Sequence, residues 1–278
     1  MTVSLRQVSF YFAAHQDDWQ LFMNPPAFGD TRDPATKCVF VHLTAGDAGL
    51  GMGSAERRHP LYLAREAGAR AAIRFMADPD WEAPADETAA SETIDGHAIH
   101  CVRYRNTAAY FLRLPDGSPA GTGYAETGNR SLQRLAESRI DEIAAIDGSA
   151  TYRGWQDLVT TLRVLVARER ENAPAVHLHF HDPDADLNPD DHADHYMTGK
   201  AALAAAQGIG RAQCTAHLGY AAMKRPENLS LPDRDRQNAV YAVTLAAVAA
   251  CDHPTAWAHY DAEFIGRGYS RILPAGEA

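Results

Sequence analysis

Leu5-Arg-Gln-Val-Ser-Phe-Tyr-Phe-Ala-Ala-His-Gln-Asp-Asp-Trp19 is the stretch on which the reading of this chain turns. Its first part, Leu5–Ala13, is a run of apolar and aromatic residues and predicts a buried strand. Its second part sets one imidazole and two adjacent carboxylates, His15, Asp17 and Asp18, at the C-terminal end of that strand. Open α/β sheets carry their ligand sites at such ends. Burying three groups of this kind is costly unless a metal or a proton-transfer task holds them there. A neutral His and one carboxylate suit zinc, and the second carboxylate is then free to act as a base.

Outward from this stretch, strand-like and helix-like segments alternate. Strands are expected at Cys38–Leu43, which is apolar throughout, at His97–Arg103 and Ala108–Leu114 as a hairpin, and at Ala175–Phe180 and Gln213–Tyr220. Helices are expected at Pro60–Ala77, Trp155–Asn172, Asp191–Gln207 and Arg234–Ala250. Such alternation predicts an α/β fold of the Rossmann-like kind, a mostly parallel sheet with helices on both faces. A single domain over 1–278 is the simpler division. The acidic, Pro-containing stretch Asp78–Asp95 reads as a surface excursion, and Pro115–Gly128 as a Gly/Pro-rich loop of functional or mobile character.

The bulk numbers narrow the function. Of the 278 residues 46% are hydrophobic, enough for a real core. The 26 Lys+Arg against 36 Asp+Glu give a net charge of −10, which argues against nucleic acid or an anionic membrane as the main partner. No apolar run approaches the ~20 residues of a membrane span, and the N-terminus has no secretory pattern, so a cytoplasmic protein is expected. Cys38, Cys101, Cys214 and Cys251 are scattered and form no CxxC pair, so buried free thiols are expected.

A second polar cluster lies downstream. It runs from His177 through His179, His181 and a train of Asp residues to His192 and His195. Asp190 or Asp191 reads as the N-cap of a helix whose first turns carry His192 and His195 on one face. Brought together at two strand ends, His15, Asp18 and His195 make three protein ligands with a fourth position open, as catalytic zinc sites are built.

The strand followed by His15-Gln-Asp-Asp18, then Thr44-Ala-Gly-Asp-Ala-Gly49 and the late His192-Ala-Asp-His195, resembles the LmbE/PIG-L family over residues 5 to 220. The resemblance implies a Rossmann-like fold and zinc-dependent removal of N-acetyl groups from amino sugars or related glycoconjugates. It implies that His15, Asp18 and His195 bind Zn2+, with Fe2+ or another divalent metal able to replace it. Asp17 would be the general base. His192, in its protonated form, would stabilise the oxyanion or protonate the leaving amine, and Asp194 would tune His192. The chain departs from the family pattern at Gln16 and Ala193, where the family has Pro, and at Trp19, where it has Glu. Gln16 and Trp19 are therefore expected beside the substrate. The family's early Arg-x-x-Glu appears only as Arg65-Glu66-Ala67-Gly68, so Arg65 receives no role.

Other features have plainer readings. His177, His179 and His181 alternate on one strand face and are expected in the core or behind the metal ligands, His181 nearest the pocket. Asp182-x-Asp184-x-Asp186 lacks the Gly and Glu of an EF-hand, since Leu187 and Ala193 stand there. Gly46, Gly49, Gly51 and Gly53 form a pocket-lining loop without GxGxxG, Ser54 standing where the last Gly would fall. Asp47 within it reads as a substrate contact or a turn brace. Trp81, Tyr124, Tyr152 and Trp155 read as core or rim. Asn129 and Arg130, with Ser131, read as polar contacts to substrate hydroxyls or as a helix start. Two other functions compete: an amidase or deacylase acting on another N-acyl or thiol conjugate, and a sugar-binding protein that keeps the metal without turnover.

Overall fold

The computed structural model describes residues 4–53, 59–78, 85–210, 212–255 and 257–273. In chain order the elements are β1 (Gln7–Ala13), α1 (Asp18–Phe22), α2 (Pro26–Arg32), β2 (Thr36–Thr44), α3 (Leu61–Ala77), β3 (Thr88–Ile94), β4 (His97–Tyr104) and β5 (Thr107–Leu114). They continue with α4 (Leu132–Ala136), β6 (Glu142–Ala144), β7 (Thr151–Arg153), α5 (Trp155–Arg170), β8 (Ala175–His181), α6 (Ala193–Ala206), β9 (Ala212–His217), α7 (Leu231–Ala250), α8 (Trp257–Phe264) and β10 (Ser270–Leu273).

Eight strands form one sheet in the order β10-β9-β8-β1-β2-β5-β4-β3. The middle of the sheet, β9-β8-β1-β2-β5, is parallel, and β10, β4 and β3 are added antiparallel at its edges. The expected α/β fold is thus observed, a mostly parallel mixed sheet with helices around it. β6 and β7 pair separately as a small hairpin.

Strand geometry sorts the side chains. Alternate residues point to opposite faces, so Phe10 and Phe12 of β1 enter one apolar cluster and Tyr11 and Ala13 the other. The first cluster is closed by α4, α5 and α6 through Leu132, Leu162, Leu165 and Ala202. The second is closed by α1, α2, α3, α7 and α8 through Phe22, Ala27, Ile73, Val240 and Phe264. Both faces of the central strands are therefore covered, which is why β1 and β2 read as continuous apolar runs.

The strand order places the first polar stretch. β1 lies between β2, which follows it in sequence, and β8, which the chain reaches much later. The C-terminal end of β1 is a topological switch point, where the connections on its two sides depart in opposite directions and leave a crevice.

Several segments differ from expectation. Asp78–Asp95 is not wholly a surface excursion: residues 88–94 form β3, an edge strand with only Ile94 buried, and its exposed polar residues hide the strand pattern. The expected strand ending at Tyr220 stops at His217, and Tyr220 begins a separate 3-10 turn. Ser54 and Trp81 lie outside the described residues. The cysteines are free, three buried and Cys251 half-buried. Among the described residues no helix is long and apolar enough to cross a membrane.

One close approach couples the fold to the polar cluster. A Cβ built on Gly199 of α6 would lie 2.2 Å from the carbonyl oxygen of His181, at the end of β8. Only a bare Cα lets α6 dock so tightly on that strand. Gly199→Ala is expected to cost about 1–3 kcal/mol of stability, read as a fall in Tm, and to move His195 on the same helix away from β1.

Candidate metal centre

His15 lies just past β1, and Asp18 opens α1 three residues later. The Asp18 carboxylate accepts the backbone N–H of His15 at 2.7 Å, closing the turn between strand and helix. His181 is the last residue of β8, and His195 lies in the first turn of α6. The expected N-cap at Asp190 or Asp191 is corrected: His192 is itself the N-cap of α6, its Nδ1 accepting the backbone N–H of Asp194 at 3.1 Å.

These elements bring three imidazoles around one buried carboxylate. Asp18 Oδ1 lies 3.2 Å from His195 Nε2 and 3.5 Å from His15 Nδ1, while Asp18 Oδ2 lies 3.3 Å from His181 Nε2. Three overlapping donor sets result: His15, Asp18 and His195; His181, Asp191 and His195; and His15, Asp116, His192 and Asp194. Spacing separates them. Ligand bonds of 2.0–2.2 Å in a tetrahedron put neighbouring donor atoms roughly 3.3–3.5 Å apart. The 3.2 and 3.5 Å separations in the first set match. In the second, His195 Nδ1 lies only 2.8 Å from Asp191 Oδ1, a hydrogen bond rather than a pair of ligands. In the third, the nitrogen-to-oxygen separations reach 3.7 and 3.9 Å, wider than one tetrahedral ion spans.

The electrostatics agree with a cation held between Asp18 and His195. With Nδ1–H given to Asp191, a neutral His195 would turn the lone pair of Nε2 toward an anionic oxygen. Burial works to lower the His195 pKa, but Asp191 and Asp18 outweigh it and hold it up at about 10. Burial likewise opposes charge on His15, and Asp18 again raises its pKa well above the ordinary value. Burial pushes Asp18 up, but His195 and His15 bring it well below the usual carboxylate range. His15 Nε2, which is buried, has no hydrogen-bond partner among the described residues. The buried His/Asp cluster therefore has the donors, the spacing and the charge demand to bind a divalent metal.

The other expected site residues fall in distinct places. Asp17 caps α1, its carboxylate paired with the Arg65 guanidinium, which also donates to the Gly46 carbonyl at 3.1 Å. Asp17 and Arg65 line a small cavity of about 20 Å³ together with His15, Asp18, Phe22, Tyr220 and Phe264. His192 sits on the other side of His15, their ring centroids 4.7 Å apart. Burial first, then the neighbouring His15 and His195, push the pKa of His192 down to about 2. Its Nδ1 is occupied as an acceptor, so the neutral ring carries its hydrogen on Nε2. The Asp194 Oδ2 accepts the Gly117 N–H at 2.8 Å and lies 3.5 Å from His15 Nε2 and 3.8 Å from His192 Nδ1, so its carboxylate stands beside both rings.

Of the substrate-facing expectations, Trp19, Asp47 and the Asn129–Arg130 pair lie away from the cavities at Asp17, and Gln16 lines one of them. Trp19 is fully buried among Phe40 and its neighbours and donates Nε1–H to His42 Nε2 at 3.2 Å, because α1 turns this residue under the sheet. Asp47 is a brace: its two oxygens accept the backbone N–H groups of Gly51 at 2.7 Å and Asp116 at 2.9 Å, tying the Gly-rich loop to the end of β5. Asn129 is exposed, Arg130 donates to the Glu142 carbonyl at 2.9 Å, and Ser131 caps α4, so this segment is a helix start. Gln16 is buried and donates to the Thr44 carbonyl at 2.9 Å. It lines a second cavity of about 120 Å³ on the far side of Asp17. Of the alternating histidines, His181 joins the cluster, while His179 Nδ1 pairs with His217 Nε2 at 3.0 Å and stacks on Tyr11.

Arg65, Asp116 and Asp191 are contributors that the sequence reading did not assign. Asp191 carried a signal in its spacing of four before His195. Asp116 carried one in the Pro-Asp-Gly turn that follows β5 directly.

No protein-family model matches this chain, and none of the curated proteins matches it. Among solved structures it is similar to the N,N'-diacetylchitobiose deacetylase of Pyrococcus horikoshii, determined with its inhibitor MPG. The TM-score is 0.50 at 14% sequence identity, covering 97% of this chain and 84% of that one. At that identity the likeness is one of fold.

Proposed function

We propose that this chain is a single-domain, zinc-dependent hydrolase that removes an N-acetyl group from an amino sugar or glycoconjugate. The observation that carries the reading is the convergence of His15, Asp18 and His195 on the switch point of the sheet, both imidazoles within 3.5 Å of the same Asp18 oxygen, with Asp17 on the wall of the adjoining cavity. The sequence resemblance to the LmbE/PIG-L family and the fold shared with a solved deacetylase support the same reaction class.

His15, Asp18 and His195 would hold the metal, which when bound supplies Lewis acidity, making water nucleophilic near neutral pH and polarising an amide carbonyl. Asp17 accepts the proton of the attacking water, its carboxylate fixed in rotamer by Arg65. Neutral His192 offers Nε2–H to the developing oxyanion. The same small cavity, walled by Phe22, Tyr220 and Phe264, excludes bulk water from the acyl group. The proton taken up by Asp17 then passes to the nitrogen, which leaves as an amine as the tetrahedral carbon–nitrogen bond breaks, since an amide anion is a poor leaving group.

Asp191 acts through His195. Its 2.8 Å contact with Nδ1 fixes the tautomer that leaves Nε2 free as a ligand. Asp191→Asn is expected to weaken metal affinity by about 10–100-fold, measured by competition with a chelating dye, with the fold retained. The reaction itself is tested by acetate release from N-acetylated sugars, aminoglycosides and glycolipid headgroups with metal-loaded protein. Release from at least one class is expected, and none from any would remove the assignment.

A further inference from the structure

Two cavities meet at Asp17. The smaller, about 20 Å³, adjoins His15 and Asp18 and has room for about one water-sized group, such as an acetyl methyl. The larger, about 120 Å³, lies between α3 and α7. Asp17, Arg65 and Tyr260 line both, so one ligand can occupy the two at once.

The larger cavity has polar groups on its wall, at Gln16, Asp17, Arg65, Tyr241, Thr255 and Tyr260. Three of these side chains hold a buried atom without a hydrogen-bond partner among the described residues: Gln16 Oε1, Arg65 Nε and the Tyr241 hydroxyl. Gln16 and Tyr241 are almost wholly buried, at 1% and 0% exposure. Buried polar atoms are normally paired, and leaving one unpaired costs stability. The other polar atoms of Gln16 and Arg65 are committed. Gln16 gives its amide N–H to the Thr44 carbonyl at 2.9 Å, and the Arg65 guanidinium holds Asp17 and the Gly46 carbonyl.

What these side chains still offer is one acceptor at Gln16 Oε1, one donor at Arg65 Nε and, at Tyr241, a hydroxyl that does both. A Cβ built on Gly46 would lie 2.8 Å from Gln16 Oε1 and 3.1 Å from Arg65 Nε, so that acceptor and that donor flank one point. Burial first, then the Asp17 carboxylate, raises the Tyr241 pKa above its ordinary value, so the hydroxyl keeps its proton to donate. The charges on the wall restrict the ligand further. An anionic arm would face the Asp17 carboxylate and Gln16 Oε1, and a cationic arm would face Arg65. A neutral group that both donates and accepts, a hydroxyl, meets all three free atoms without repulsion.

We propose that Gln16 and Tyr241 set the specificity of the site by binding hydroxyls of the amino-sugar ring that leaves as the amine, the ring lying between α3 and α7. This rests on the deacetylase reading. The acetyl group then enters the small cavity, and the amide between the two lies at Asp17, where the hydroxyl contacts hold it in line for attack.

The test compares N-acetylglucosamine with its 3-deoxy, 4-deoxy and 6-deoxy analogues on metal-loaded protein. In the wild type at least one analogue is expected to lose about ten-fold in kcat/KM, the worth of one hydrogen bond. Tyr241→Phe removes the hydroxyl and keeps the ring. It is expected to bring that analogue and the parent sugar toward equal kcat/KM, while Tm holds or rises. A clear fall in Tm would show the hydroxyl engaged within the fold and would overturn the inference. Calorimetric binding of glucosamine and its three deoxy analogues to the wild type gives a second readout that needs neither turnover nor a variant. Weaker binding of one deoxy amine supports the inference even where no acetate is released, an outcome that removes the deacetylase reading instead. Acetate release from all four substrates at equal kcat/KM, with the four amines bound equally or not at all, would overturn the inference and leave deacetylation standing.

Discussion

Asp18→Ala is expected to leave the protein without bound metal and to lower kcat/KM on any cleaved N-acetyl substrate by about a thousand-fold or more. The size follows from where Asp18 sits. Its carboxylate is shared by the rings of His15, His181 and His195, each within 3.5 Å of one of its oxygens. Removing it takes away a ligand and the charge that draws a cation into a buried pocket. It also frees the His15 N–H that the carboxylate accepts, loosening the turn that presents His15. Metal content and kcat/KM should fall together, while circular dichroism stays that of the wild type. Full metal content in Asp18→Ala would move the ligand role to another of the overlapping donor sets.

Asp17→Asn separates catalysis from binding. Asp17 is no part of the tetrahedral set and faces the cavities through its pairing with Arg65. Replacing the carboxylate by an amide removes the proton acceptor and keeps the shape. A loss in kcat of about 10²–10⁴ is expected, the usual contribution of a general base, with metal content unchanged. KM should move little, since the substrate's other contacts remain. An Asp17→Asn enzyme with full kcat would place the base elsewhere. Asp116 would be the next candidate, being buried and 3.7 Å from His192 Nε2.

What the sequence made legible follows from burial. β1 and β2 lie in the middle of a parallel sheet and are largely apolar on both faces, so they are conspicuous, while β8 beside them is apolar on one face and carries three histidines on the other. β3 is an edge strand exposed along most of its length and has no apolar pattern to read. α1 is hidden for the opposite reason. Its five residues, Asp18 to Phe22, are all buried, so it has no polar face to set against an apolar one.

The candidate site divides in the same way. His15, Asp18 and His195 were legible because each stands at or just beyond a strand end or helix start, where an open α/β sheet carries its ligand sites. Asp116 and Asp191 are two of 36 acidic residues and come to the cluster only through the sheet order that sets β5 and β8 beside its centre. Trp19 shows the converse. Its place next to a ligand suggested a substrate contact, but one residue along a helix is a rotation of about 100°, enough to turn it into the core.

Titrating metal-free protein with Zn2+ while following acetate release from a cleaved N-acetylated sugar tests the central claim most directly. Activity should be absent without metal, rise in proportion to added Zn2+, and level off at about one equivalent per chain, as a single open three-ligand site requires. Acetate release at the full rate before any metal is added would contradict it.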